Sequence, residues 1–186
     1  MILDDFYSYL EKERGCSSHT LRAYKNDLNR FTLFLTNKIE NISGLQDVDR
    51  HTIREFLGFE FDAQLSSKTV ARRLASIKSF FKYLMRSEQI ENNPAIHVKS
   101  PKIPQSLPNF IDEKVIDALM ESPDDNTAMG MRDRAILELF YSTGIRLSEL
   151  IALNIGSVDA VRQLIKVHGK GDKERLIPFG NRAKFW

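Results

Sequence analysis

The chain has 186 residues, 27 Lys plus Arg against 25 Asp plus Glu, 42% hydrophobic residues and one cysteine. That length accommodates one or two compact domains, and a charged fraction of 28% beside 12 Phe and 5 Tyr excludes disordered, collagenous and low-complexity classes. Cys16 alone cannot form an internal disulfide and no Cys/His cluster has zinc spacing, which excludes a disulfide scaffold and a structural zinc site and makes a reducing cytoplasm the expected compartment. Met1-Ile2-Leu3-Asp4-Asp5 is acidic where a signal peptide is basic, and no stretch approaches the roughly 18 uncharged apolar residues of a membrane helix, so no membrane partner is expected. A formal charge of +2 is too small to name a nucleic-acid partner by itself. Where the charges sit decides more.

Leu3, Phe6 and Leu10 mark a first helix, with Gly15 as its stop. Ser17 and Ser18 cap a second, whose inner stripe is Leu21, Tyr24, Leu28, Phe31 and Leu35. A third runs over roughly 51–61. Four of the six prolines, Pro94, Pro101, Pro104 and Pro108, then fall close together, and each removes a backbone donor and disfavours helix just before it. The expected organisation is therefore an all-α domain over 1–95, a Pro-rich linker over 96–108, and a second domain over 109–186. In that second domain Asp112 caps a helix over 113–120, 131–141 forms another ended by Gly144, and a further helix follows Arg146. Leu164-Ile165-Lys166-Val167 and Arg175-Leu176-Ile177 read as two strands around Gly169-Lys170-Gly171-Asp172, which makes this part α+β.

The segment 66–87 is the most informative. It carries Lys68, Arg72, Arg73, Lys78, Lys82 and Arg86 with no acidic residue among them. At about 100° per residue, Val70, Leu74, Ile77, Phe81 and Leu84 share one arc of roughly 80°, while Lys68, Arg72, Lys78, Lys82 and Arg86 cluster on the other side. A solvated surface helix has such a face too, but usually with mixed signs. Without acidic neighbours the cations gain no pair and repel one another, a cost offset when phosphates are the partner. Both readings stand on charge alone.

Two further groups are candidates. Arg146, at the start of a helix, can grip an anion through its planar fork while Glu149, three residues on, fixes its orientation; an ordinary surface pair has the same spacing. Lys170 sits between two glycines at a hairpin tip, open to a substrate or simply to water. Gly169-Lys170-Gly171 lacks the phosphate-loop pattern, and no dinucleotide fingerprint is present. The His-x-x-Arg strings His19 to Arg22 and His51 to Arg54 read as decoys at helix starts, and no histidine has a spaced metal partner. No cofactor and no metal are expected.

Several segments together resemble one family. Ser18-His19-Thr20-Leu21-Arg22-Ala23-Tyr24-Lys25-Asn26-Asp27-Leu28, Leu65-Ser66-Ser67-Lys68-Thr69-Val70-Ala71-Arg72-Arg73-Leu74 and Asn92-Asn93-Pro94-Ala95 are similar to the SAM-like core-binding domain of tyrosine recombinases of the XerC/XerD and phage-integrase type. Arg132-Asp133-Arg134-Ala135-Ile136-Leu137-Glu138-Leu139-Phe140-Tyr141-Ser142-Thr143-Gly144-Ile145-Arg146-Leu147-Ser148-Glu149-Leu150 and Gly169-Lys170-Gly171-Asp172-Lys173-Glu174-Arg175-Leu176-Ile177-Pro178 resemble the first part of the family's α+β catalytic domain.

By that resemblance Arg146 matches the first active-site arginine and Lys170 the hairpin lysine. In the family a tyrosine hydroxyl attacks the scissile phosphodiester without metal, giving a 3′-phosphotyrosyl link that conserves the bond energy for religation. The arginine stabilises charge on the nonbridging oxygens, and the lysine protonates the departing 5′ oxygen. The implied partners are double-stranded DNA and a tetramer of protomers on two DNA sites. The implied roles are DNA recombination, DNA integration or chromosome partition. The family's nucleophilic tyrosine and its His-x-x-Arg lie beyond the hairpin. The 186 residues are thus expected to be truncated within the catalytic domain and to lack cleavage activity alone, or to act as a short form that occupies recombination sites. A helical protein-interaction domain would instead need an exposed apolar stripe on 66–87, which the pattern does not show.

Overall fold

The apolar periodicity of the first part of the chain is realised as four α-helices, α1 (Ile2–Lys12), α2 (Ser18–Lys38), α3 (Arg50–Asp62) and α4 (Ser67–Arg86), in a computed structural model that describes residues 2–38, 44–105, 110–169 and 173–186. The starts of α2, α3 and α4 have a local cause. The Ser17 hydroxyl accepts from the Thr20 N–H at 3.3 Å, the Asp49 carboxylate from the Thr52 N–H at 2.8 Å, and the Ser66 hydroxyl from the Thr69 N–H at 3.3 Å. These cap amides that the first turn would otherwise leave unpaired. After α1 the chain turns at Gly15, whose φ of +58° is cheap only without a Cβ.

The chain divides into two units, Met1–Ser106 and Leu107–Trp186. The first has a core built on aromatic rings. Phe6, Phe31, Phe56, Phe80 and Phe81 are fully buried, and the Phe31–Phe56 and Phe6–Phe80 centroids lie 5.1 and 5.3 Å apart in edge-on geometry. Such pairs add about 0.5–1.5 kcal/mol each to the burial of their area. Val70, Leu74, Ile77, Phe81 and Leu84 of α4, the arc expected from sequence, are all fully buried. The packing runs past residue 95, because Val98 is buried in the same cluster as Ala95.

The second unit contains α5 (Glu113–Glu121), α6 (Ala128–Thr143), α7 (Leu147–Ile151) and α8 (Asn181–Phe185), with an antiparallel sheet in the order β1 (Val158–Asp159), β2 (Leu164–His168), β3 (Glu174–Pro178). Thr127 caps α6 by accepting from the Gly130 N–H at 3.0 Å, one turn earlier than the apolar pattern alone marks. Gly144, at φ +59°, closes the helix with its N–H on the Phe140 carbonyl at 2.9 Å, the left-handed cap that glycine adopts without strain. β2 and β3 pair with Ile165 opposite Ile177, Val167 opposite Arg175, and Lys166 opposite Leu176. Since directly opposed residues share a face, Arg175 stands on the same side as Ile165, Val167 and Ile177. The core on that side is small: Ile145, Ile165, Val167 and Phe179 are buried, with Leu139, Phe140, Leu150 and Leu153 half-buried around them.

Candidate nucleic-acid interface and anion site

The α4 cations do not form one uniform set. Lys68, Arg72, Lys82 and Arg86 are exposed and Lys78 is half-exposed, all on the side away from the core. Ala71, Ala75 and Ser79 fall between them on the same arc, so little side-chain bulk keeps a partner from the helix. Lys68, Lys78 and Lys82 form no ion pair among the described residues. Arg86 lies over the Tyr9 ring, 5.7 Å from its centroid.

Arg72 and Arg73 correct the argument from charge alone, which took the segment's cations to be without pairs. Arg72 donates from Nη1 to Asp27 Oδ2 at 2.5 Å, and Ser76 Oγ donates to the same oxygen at 2.8 Å. Arg73 turns inward, pairs with Glu60, and approaches Asp27 Oδ1 at 3.8 Å; Arg30 donates from Nε to Glu60 Oε1 at 3.0 Å. Asp27 and Glu60 are 1% and 0% exposed at their side chains, whereas Arg72 is 49% exposed. The two acids come from α2 and α3, so three helices are tied by one network of three arginines and two carboxylates. Burial makes such carboxylates costly unless paired, and here each oxygen-bearing group has an arginine. Beside Arg72, a groove of about 390 Å³ opens between α2 and α4, with His19, Ala23, Asp27 and Ala75 in its walls.

In the second unit the structure brings Arg146 and Glu149 together and adds a third member. Arg146 is the residue that precedes α7, and its own N–H donates to Glu149 Oε2 at 2.8 Å while its Nη1 donates to Oε1 at 3.0 Å. Arg175 of β3 donates from Nη2 to Glu149 Oε2 at 2.8 Å. Glu149 is 3% exposed at its side chain and Arg146 66%, so this is no ordinary surface pair. The Arg146 backbone N–H, followed by the two guanidinium groups, holds the Glu149 carboxyl below the usual carboxylate range, against the desolvation that would raise it. An arginine fixed along one edge of its fork and open along the other is suited to bidentate grip of an oxyanion. Arg175 was not among the residues singled out from sequence. Its signal was the alternation of β3, which puts a guanidinium on the apolar side of the hairpin. Lys170 lies outside the described residues. His19 and His51 sit at the starts of α2 and α3, and His51 Nε2 is 3.5 Å from Glu55 Oε1.

Two family models match. The phage integrase N-terminal SAM-like domain covers residues 3–88, and the phage integrase family covers residues 109–186. Among curated relatives, tyrosine recombinase XerD of Staphylococcus haemolyticus (strain JCSC1435) is 36% identical over 180 residues, and that of Staphylococcus aureus (strain N315) 37%. Each alignment takes in 97% of this chain and 60% of the relative, so the chain spans about 60% of the length of the curated relatives it matches. Of solved structures, a lambda integrase (75-356) dimer bound to a COC′ core site superposes with a TM-score of 0.73 at 19% identity, over 95% of this chain and 58% of that one. The Tn1549 transposon integrase in complex with transposon right end DNA gives 0.72 at 17%, over 100% and 63%. At such identities the likeness is one of fold. Together with the two matched models and the XerD relatives, it places this chain in the tyrosine recombinase (phage integrase) family, with the SAM-like helical domain followed by part of the catalytic domain.

Proposed function

We propose that this chain binds duplex DNA through the solvent face of α4, as the DNA-binding and leading catalytic portion of a site-specific recombinase. The observation that carries the reading is the face itself: Lys68, Arg72, Lys78, Lys82 and Arg86 ranged opposite a fully buried apolar arc, with small residues between them. Phosphate contacts from these side chains supply affinity and position. The lambda and Tn1549 integrases superposed above were solved with DNA, which supports the same use of this fold. In this reading residues 1–95 act as the core-binding domain, 96–108 connect, and 109–186 contribute Arg146 and Lys170 toward a scissile phosphate, with Glu149 orienting Arg146. Recombination sites on the chromosome or on a mobile element are the class of target, and assembly into a tetramer on two sites goes with it.

The chemistry of strand exchange asks for a tyrosine nucleophile near those cations. Tyr7, Tyr9, Tyr24 and Tyr83 belong to the helices of the first unit and pack on its core; Tyr141, on α6 and exposed, falls in the segment that resembles the family's stretch ahead of the first arginine, and in this reading none of the five takes that role. The polypeptide of residues 1–186 by itself therefore binds without cleaving. Fluorescence anisotropy with duplex DNA over a salt series is the test: several released counterions support the reading, and absence of salt-dependent binding by a folded chain ends it. A phosphotyrosyl adduct on a nicked suicide duplex would end the non-cleaving part alone.

A further inference from the structure

Arg175 is an unusual residue for its place. It lies opposite Val167 and on the same side of β3 as Ile177, yet 46% of its side chain stays in solvent, so its direction is set by a partner and not by burial. Its partner is Glu149, through Nη2 to Oε2 at 2.8 Å, and that same carboxylate holds Arg146 through both its N–H and its Nη1. One buried carboxylate is thus shared by the arginine that precedes α7 and the arginine second in the returning strand.

We infer that Arg175 is a positioning residue for the anion site: by anchoring Glu149 from the hairpin it fixes the guanidinium of Arg146 in the orientation that receives a phosphate oxygen. The inference rests on the reading of Arg146 as an anion-binding group and deepens it. The Arg146 N–H already holds Glu149 Oε2 from one side, and Arg175 meets the same oxygen from β3, which removes the remaining freedom of the carboxylate to tilt about that single bond. With Arg175 holding Oε2, the carboxylate plane is set, and Oε1 is left to one edge of Arg146. The other edge of the Arg146 fork, with 66% of its side chain in solvent, is what a phosphate meets. The same contact ties α7 to β3.

The test uses the whole chain labelled with 15N-arginine, following the Arg146 Nε–Hε signal, identified by its loss in Arg146→Lys, while inorganic phosphate is added. In the wild type this signal is ordered and shifts with phosphate. In Arg175→Gln the motion of Arg146 increases and phosphate affinity falls about fivefold or more, while the chain stays folded, as a retained cooperative melt of Trp186 fluorescence shows. Arg175→Lys, which keeps a cation beside Glu149, restores part of the affinity. Lys166→Gln is the control for charge, since Lys166 lies on the outer face of the same hairpin, 3.3 Å from Glu174, and it leaves the Arg146 signal as it was. Unchanged Arg146 motion and phosphate affinity in Arg175→Gln overturn the inference. So does an equal loss in Lys166→Gln, which would make the effect one of net charge. If Arg146 of the wild type does not respond to phosphate at all, the reading of the anion site itself fails, a result distinct from either.

Discussion

Lys82→Glu is the sharpest perturbation of the proposed DNA face. Lys82 is exposed on α4, lies off the buried arc, and has no ion-pair partner among the described residues, so its reversal leaves the helix fold untouched. Each neutralised phosphate contributes about 0.9 to the slope of log affinity against log salt, so five contacting cations give a slope of about −4.5 and a loss of roughly 500-fold between 50 and 200 mM salt. Removing one contact brings the slope to about −3.6 and the loss to roughly 150-fold. Placing a carboxylate against the phosphates weakens binding at fixed low salt by a further factor, about tenfold in all, from like-charge repulsion. The assay is anisotropy of a labelled duplex at several salt concentrations, with helicity measured on the same samples. A slope and affinity equal to those of the wild type would refute the assignment of this face. Arg72→Glu, which looks equivalent by its position on the arc, is a poorer choice because it sets a second carboxylate against buried Asp27 and acts on folding as well.

Asp27→Asn removes the charge that holds Arg72 and accepts from Ser76. A loss of about 1–3 kcal/mol follows, a fall on the order of 10 °C in the melting midpoint of the first unit, and an Asp27/Arg72 double-mutant cycle should return a coupling of about 0.5–3 kcal/mol; additive single effects would count against the pair. Gly130→Ala drives a Cβ into the Asp124 carbonyl oxygen, a clash against backbone that costs about 1–3 kcal/mol and shows as a lower urea midpoint by fluorescence of Trp186, the single tryptophan. Glu149, whose folded carboxyl titrates below its ordinary range, adds stability that is full above its unfolded titration and is lost as pH falls through its folded one. Acidification below the carboxylate range should therefore loosen the second unit, and Glu149→Gln should flatten that acid limb; an identical acid profile in the variant would argue against the Arg146–Glu149–Arg175 arrangement.

The helices were legible in the sequence for a plain reason. Val70, Leu74, Ile77, Phe81 and Leu84 repeat with the helical period, and Ser66, Asp49 and Asp112 mark starts with side chains that cap. A period says which face is buried and nothing about what the opposite face meets. Asp27 and Arg72 are 45 positions apart and Arg30 and Glu60 30 apart, so the pairs that tie α2 to α4 and α2 to α3 leave no local trace, and the cations of α4 read as unpaired. Arg146 and Glu149 were legible because their partnership is local, three residues along one turn. Arg175, 26 positions beyond Glu149, needed the hairpin register before its side could be known. The two residues of β1 and the five of α8 are too short for any period to show. Val98, in a Pro-rich stretch, joins the first core by position alone, since one buried residue among prolines makes no pattern.

The unequal cores have a consequence for how the chain comes apart. Five phenylalanines are sealed inside the first unit, while the second rests on Ile145, Ile165, Val167 and Phe179. Cooperative melting scales with the apolar area a unit withdraws from water, so heating should give two calorimetric transitions instead of one. The second unit goes first, and at intermediate temperatures the chain is a folded helical bundle trailing an open strand of polypeptide, still carrying its cations in register. A protease added in that interval trims the chain to its helical part, and what survives is the half that holds the basic face.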